Sequence, residues 1–77
     1  MAMTSIRFKE IMLDKNLAID TRSNNDDTEN SVTLTINPLH LDEVCGSADD
    51  NGFGFFYDTQ AIRNHTMEVD VYKRSDS

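Results

Sequence analysis

The chain is poor in the residues that usually staple a small fold. It has one cysteine, Cys45, in 77 residues, so no internal disulfide can form. That thiol and the two histidines, His40 and His65, fall short of the four ligands of a structural zinc site. There is no tryptophan and a single proline, and apolar residues make up only 38% of the chain, below the usual share for a globular domain. A chain of this length buries a modest fraction of its surface. Oligomerisation is the staple left open, so a homo-oligomer is a possible state. No stretch approaches the roughly 20 apolar residues that span a bilayer. Residues 1–7 lack the apolar run of a secretory signal. The expected setting is cytoplasmic, with the lone thiol reduced and no membrane contact.

The absence with the largest consequence is that of positive charge. Between Ser23 and Ile62 there is no lysine or arginine, while the same stretch holds Asp26, Asp27, Glu29, Asp42, Glu43, Asp49, Asp50 and Asp58. The flanks carry six acids against seven bases. The net charge of −7 is therefore a property of the middle of the chain.

Hydrophobic periodicity gives the expected elements. Ile6 and Phe8 alternate with Arg7 and Lys9, which is a strand pattern, although Phe8, Ile11 and Met12 also fit a helix. The strand reading makes Asp14-Lys15-Asn16 a hairpin turn into a second strand at Leu17-Ala18-Ile19. Residues 23–31 hold no apolar side chain and are expected to form a mobile, solvated loop. Val32, Leu34 and Ile36 alternate with threonines, as in a half-buried strand. Asn37 and Pro38 read as the cap and first residue of a short helix over 38–46, with Gly46 as its terminator. Asp49-Asp50-Asn51-Gly52 reads as a turn. Phe53–Tyr57 and Met67–Tyr72 read as two further strands, followed by a polar tail over 73–77. The expected fold is α+β, mainly β. It is a single domain over 1–77, built as an antiparallel meander of four or five strands with one short helix.

The segment Asn51-Gly52-Phe53-Gly54-Phe55-Phe56-Tyr57-Asp58 resembles the aromatic octamer of RNA-recognition-motif and cold-shock domains. In those families the glycines admit nucleic-acid backbone and the sheet aromatics stack on bases, so the resemblance implies single-stranded RNA binding through Phe53–Tyr57. Gly52, Phe53, Gly54 and Phe55 match the pattern. Asn51 stands where a base belongs and Asp58 where an aromatic belongs. The octamer also lies inside the base-free stretch, whereas phosphate affinity comes from lysine and arginine. Direct nucleic-acid binding is accordingly not the leading expectation.

Ser47, Asp49, Asn51, Gly52 and Asp58 fall at the offsets of a calcium loop, but its first position is serine and its apolar position is Gly54. Cys45 beside Val44 reads as a small buried hydrophobe. No nucleophile elbow, phosphate loop or framed carboxylate pair is present. The sequence points to no enzyme, no metal and no cofactor.

The leading expectation is a small acidic inhibitor or adaptor. Its carboxylates Asp26, Asp27, Glu29, Asp42, Glu43, Asp49 and Asp50 would occupy a basic surface on a protein partner, such as a nucleic-acid-binding effector. Size and charge fit phage-type anti-defence proteins, of the anti-CRISPR or anti-restriction kind. The alternative is a structural or assembly subunit of a virion or oligomeric scaffold, using strand edges and the aromatic segment.

Overall fold

The computed structural model describes residues 3–19 and 27–74. The first element is a helix, α1 (Ser5–Asp14), and not the strand expected there. Both ends of α1 are written in the sequence. The Thr4 hydroxyl caps the start by accepting from the Arg7 N–H at 3.0 Å. The end is a Schellman stop: Asn16 takes a left-handed φ of 62°, its N–H donates to the Leu13 carbonyl, and the Leu17 N–H donates to the Met12 carbonyl. Asp14-Lys15-Asn16 thus ends a helix where a hairpin was expected. Helical spacing prevails over alternation because it buries more. Ser5, Phe8 and Met12 form the inner face, while Ile6, which the strand reading pairs with Phe8, is 41% exposed.

Leu17 and Ala18 are core residues without strand geometry. Ile19 forms only an isolated bridge to Thr35. The expected second strand is therefore absent. Among the described residues three strands follow: β1 (Ser31–Ile36), β2 (Phe53–Tyr57) and β3 (Met67–Lys73). They form one antiparallel sheet in the order β1-β3-β2. This is not the expected meander of four or five strands. The last strand inserts between the first two, so the link from β1 to β2 crosses over β3 and carries the second helix. The loop expected over 23–31 lies partly outside the described residues. Its described part, residues 27–31, is tied down by hydrogen bonds to α1 and β1.

The crossover helix is longer than expected. Asn37 accepts from the Leu39 N–H at 2.9 Å and starts a 3-10 turn at Pro38–His40, which runs into α2 (Leu41–Asp50). Gly46 lies inside α2 and does not end it. The apolar spacing Leu41, Val44, Ala48 carries the helix past Gly46, with Val44 and Ala48 fully buried. The stop comes at Gly52, whose φ of +81° is a conformation that favours glycine.

The register sets the two faces of the sheet. Val32, Leu34 and Ile36 oppose Val71, Val69 and Met67, and all six are buried. Phe53, Phe55 and Tyr57 share that face, because Phe55 opposes Val71 and Tyr57 opposes Val69. Both helices pack there, α1 on β1 and β3 and α2 on β2. The rings of Phe8 and Phe53 meet at 5.3 Å between centroids, tilted by 60°. The other face carries Thr33, Thr35, Gly54, Phe56, Glu68, Asp70 and Tyr72, and neither α1 nor α2 lies over it. There the Tyr72 ring lies across Gly54, so close that a Cβ on Gly54 would fall 2.5 Å from it.

Candidate functional site

The acids named from sequence divide into separate groups. Asp26 lies outside the described residues. Asp27 is a structural residue. Its carboxylate accepts from the Lys9 ammonium at 2.6 Å and from the Thr33 N–H at 3.1 Å, and it is largely enclosed. Glu29 stands beside it with an exposed side chain, while its backbone carbonyl receives the Ser5 N–H and hydroxyl. These two acids fasten α1 to the outer edge of β1.

Asp42, Glu43, Asp49 and Asp50 form a different group, and the helix itself assembles it. Residues seven apart on an α-helix return to nearly the same stripe, with a drift of about 20°. Asp42 and Asp49 therefore share one stripe of α2, and Glu43 and Asp50 share the next. All four are exposed, on the side opposite Val44 and Ala48. Gly46 sits between the two pairs and leaves the middle of the face low. The pairs are about 10 Å apart along the axis. The sequence pattern alone puts Asp49 and Asp50 in a turn beyond the helix and does not show their alignment with Asp42 and Glu43.

The electrostatics of this face are unequal at its two ends. Asp42 and Glu43 occupy the first turn, where the helix dipole favours negative charge. Asp49 and Asp50 sit in the last turn, where the dipole opposes it. Asp49 is offset by an ion pair with Arg74. Asp50 has no ion pair among the described residues. An unfavourable end charge costs about 0.3–1 kcal/mol, so helix stability does not account for Asp50.

Cys45 borders the same face, half-buried. Burial pushes its thiol above the ordinary cysteine range, and the nearby Asp42 carboxylate adds to the shift. The thiolate is thereby scarce at neutral pH. Alkylation by iodoacetamide at pH 8 is expected to be slower than for free cysteine, and Asp42→Asn should restore only part of the rate. A rate equal to free cysteine in the native protein would contradict this.

The acids that sequence reasoning passed over are Glu68 and Asp70 on β3. Together with Asp58 they face the open side of the sheet around Phe56, Tyr57 and Ala61, in a shallow depression of about 150 Å3. Their strand alternation was visible in the sequence, but the pairing that sets them beside Phe56 was not. The octamer residues are also sorted by the sheet. Phe53 is in the core, Phe55 is half-buried on the helix side, and Phe56 is 64% exposed on the other face. The calcium-loop offsets are split in the same way: Ser47 and Asp49 belong to α2, and Asp58 lies beyond the far end of β2. Among the described residues no cluster of three or more metal-ligating side chains occurs, and no helix is long and apolar enough to cross a membrane.

No family model matches this sequence, and neither a curated protein nor a solved structure gives a match.

Proposed function

We propose that this chain acts by binding, with the outer face of α2 docking on a basic surface of a protein partner. The observation that carries the reading is the alignment of Asp42, Glu43, Asp49 and Asp50 on one solvent-facing side of a single helix. One of those acids, Asp50, stands without an ion pair among the described residues at the helix end where charge of that sign is disfavoured, beside Asp49, which Arg74 offsets. Residues that lower stability while remaining exposed suit a binding role better than a structural one. Carboxylates held in a rigid double stripe can take the place of phosphates in a basic groove, and opposite potentials speed the encounter. The corresponding class is an inhibitor of a nucleic-acid-binding effector, as in anti-defence proteins, working without catalysis.

The test is capture of partners from the native source with the wild-type chain and with the Asp49→Lys/Asp50→Lys double variant. Reversal at the negative end of α2 should leave the fold intact, because a gain of about 0.3–1 kcal/mol at the Asp50 position is set against the loss of the exposed Asp49–Arg74 ion pair. A basic protein retained by the wild type should be lost by the variant. Retention of the same protein by both chains would refute the reading.

A further inference from the structure

The two edges of the sheet are treated differently. In an antiparallel ladder, alternate residues of an edge strand point their backbone groups outward. The Lys73 N–H donates to the Asn30 carbonyl, so Val32, Leu34 and Ile36 face β3, while Ser31, Thr33 and Thr35 face out. Each of those outward positions is occupied. The Ser31 carbonyl accepts from the Thr28 N–H, the Thr33 N–H donates to Asp27, and the Thr35 carbonyl accepts from the Ile19 N–H at 2.6 Å. By the same alternation Gly54 and Phe56 of β2 face β3, and Phe55 and Tyr57 face out. No described group pairs with the outward backbone of Phe55 or Tyr57. Natural sheets blunt a free edge with charge, proline, a bulge or a cover. β2 reads Phe-Gly-Phe-Phe-Tyr and carries no charge or proline.

Beside this bare edge lies the depression formed by Phe56, Tyr57, Asp58, Ala61, Glu68 and Asp70. We propose that β2 accepts an added strand from a partner, an extended segment with basic side chains at alternate positions. A strand laid on β2 would lie about 4.8 Å from it and about 10 Å from β3. An arginine on the open-face side of that strand then spans the Phe56 ring and reaches the Glu68 carboxylate and the free oxygen of Asp58, whose other oxygen accepts from the Gln60 N–H, with Asp70, held by the Thr33 hydroxyl, adding negative charge behind them. Ring and carboxylates both favour a cation. A second copy of the chain is the poorer occupant, because it brings its own three acids to the same place and a net charge of −7. This surface is separate from the outer face of α2, and either can fail without the other.

The experiment is titration of the full chain with a short labelled peptide of alternating valine and arginine at about 0.15 M salt. Alternating proline–arginine and valine–glutamate peptides serve as controls. The valine–arginine peptide should bind saturably and shift amide resonances of residues 53–58 and 68–72. Tyr57→Pro removes one outward N–H at the strand end, where proline is tolerated, and Glu68→Lys removes one acid. Each should weaken binding by at least about tenfold, with circular dichroism unchanged, while Asp49→Lys/Asp50→Lys should leave peptide binding intact. Equal binding of the proline–arginine peptide, or unchanged affinity in Tyr57→Pro, overturns the proposal. So does a concentration-dependent dimer lost in Tyr57→Pro without peptide binding, which assigns the edge to a second copy.

Discussion

Phe8→Ala should destabilise the protein by about 3–5 kcal/mol, the usual cost of truncating a buried aromatic to alanine. Phe8 is 1% exposed and is the residue through which α1 reaches across the sheet, its ring against that of Phe53. The loss has two parts. One is the transfer free energy of the ring, and the other is the cavity left between α1 and the sheet, which neighbouring side chains fill only in part. The change is large beside the total stability of a typical domain, about 5–15 kcal/mol. Urea unfolding should therefore show either a much lower midpoint or no folded baseline at all. Ile6→Ala is the matched control. Ile6 lies on the exposed side of α1, and its loss should cost well under 1 kcal/mol. If residues 6–13 formed a strand with Ile6 and Phe8 on one face, the two variants would be damaged alike.

Asp27→Ala is the second large effect, with an expected loss of about 2–4 kcal/mol. The substitution leaves the Lys9 ammonium, which is largely enclosed, without its carboxylate. It also strips the Thr33 N–H of its acceptor at the sheet edge. Lys9→Met/Asp27→Ala should recover part of the loss, because the stranded charge is gone while the Thr33 N–H stays unpaired. Equal stability of Asp27→Ala and the wild type in chemical unfolding would show that the pair contributes nothing. A damaged Asp27 variant is also a warning for binding studies. Partner loss on its substitution would report folding and not recognition, which is why the α2 acids are the informative ones.

How far the sequence reveals this fold depends on the range of the forces involved. The strands at Val32–Ile36 and Met67–Tyr72 are legible because alternation is a local signal read directly from side-chain order, and Phe53–Tyr57 because aromatic residues favour strands. The first helix is less so, since Phe8 satisfies both periods. The deciding signals are the caps, with Thr4 at one end and Asn16 followed by Leu17 at the other. The order β1-β3-β2 is not legible locally at all. It depends on β3 burying Val69 and Val71 between two partners, and no short window records that. The acids follow the same division. Their concentration in the middle of the chain is plain, but the split of Asp27 from Asp42, Glu43, Asp49 and Asp50 needs the helix to run on to Asp50. Glu68 and Asp70 meet Phe56 only through the pairing of β2 with β3, which no local pattern records.

The measurement that bears most directly on the central claim is the salt dependence of the complex formed with the captured partner. It compares wild type with a chain in which Asp42, Asp49 and Asp50 are replaced by asparagine and Glu43 by glutamine. If the α2 face docks on a basic surface, wild-type affinity should fall steeply as salt rises, and the neutralised chain should bind more weakly with a flatter slope. Equal affinities and parallel slopes would place the contact elsewhere on the molecule and contradict the claim.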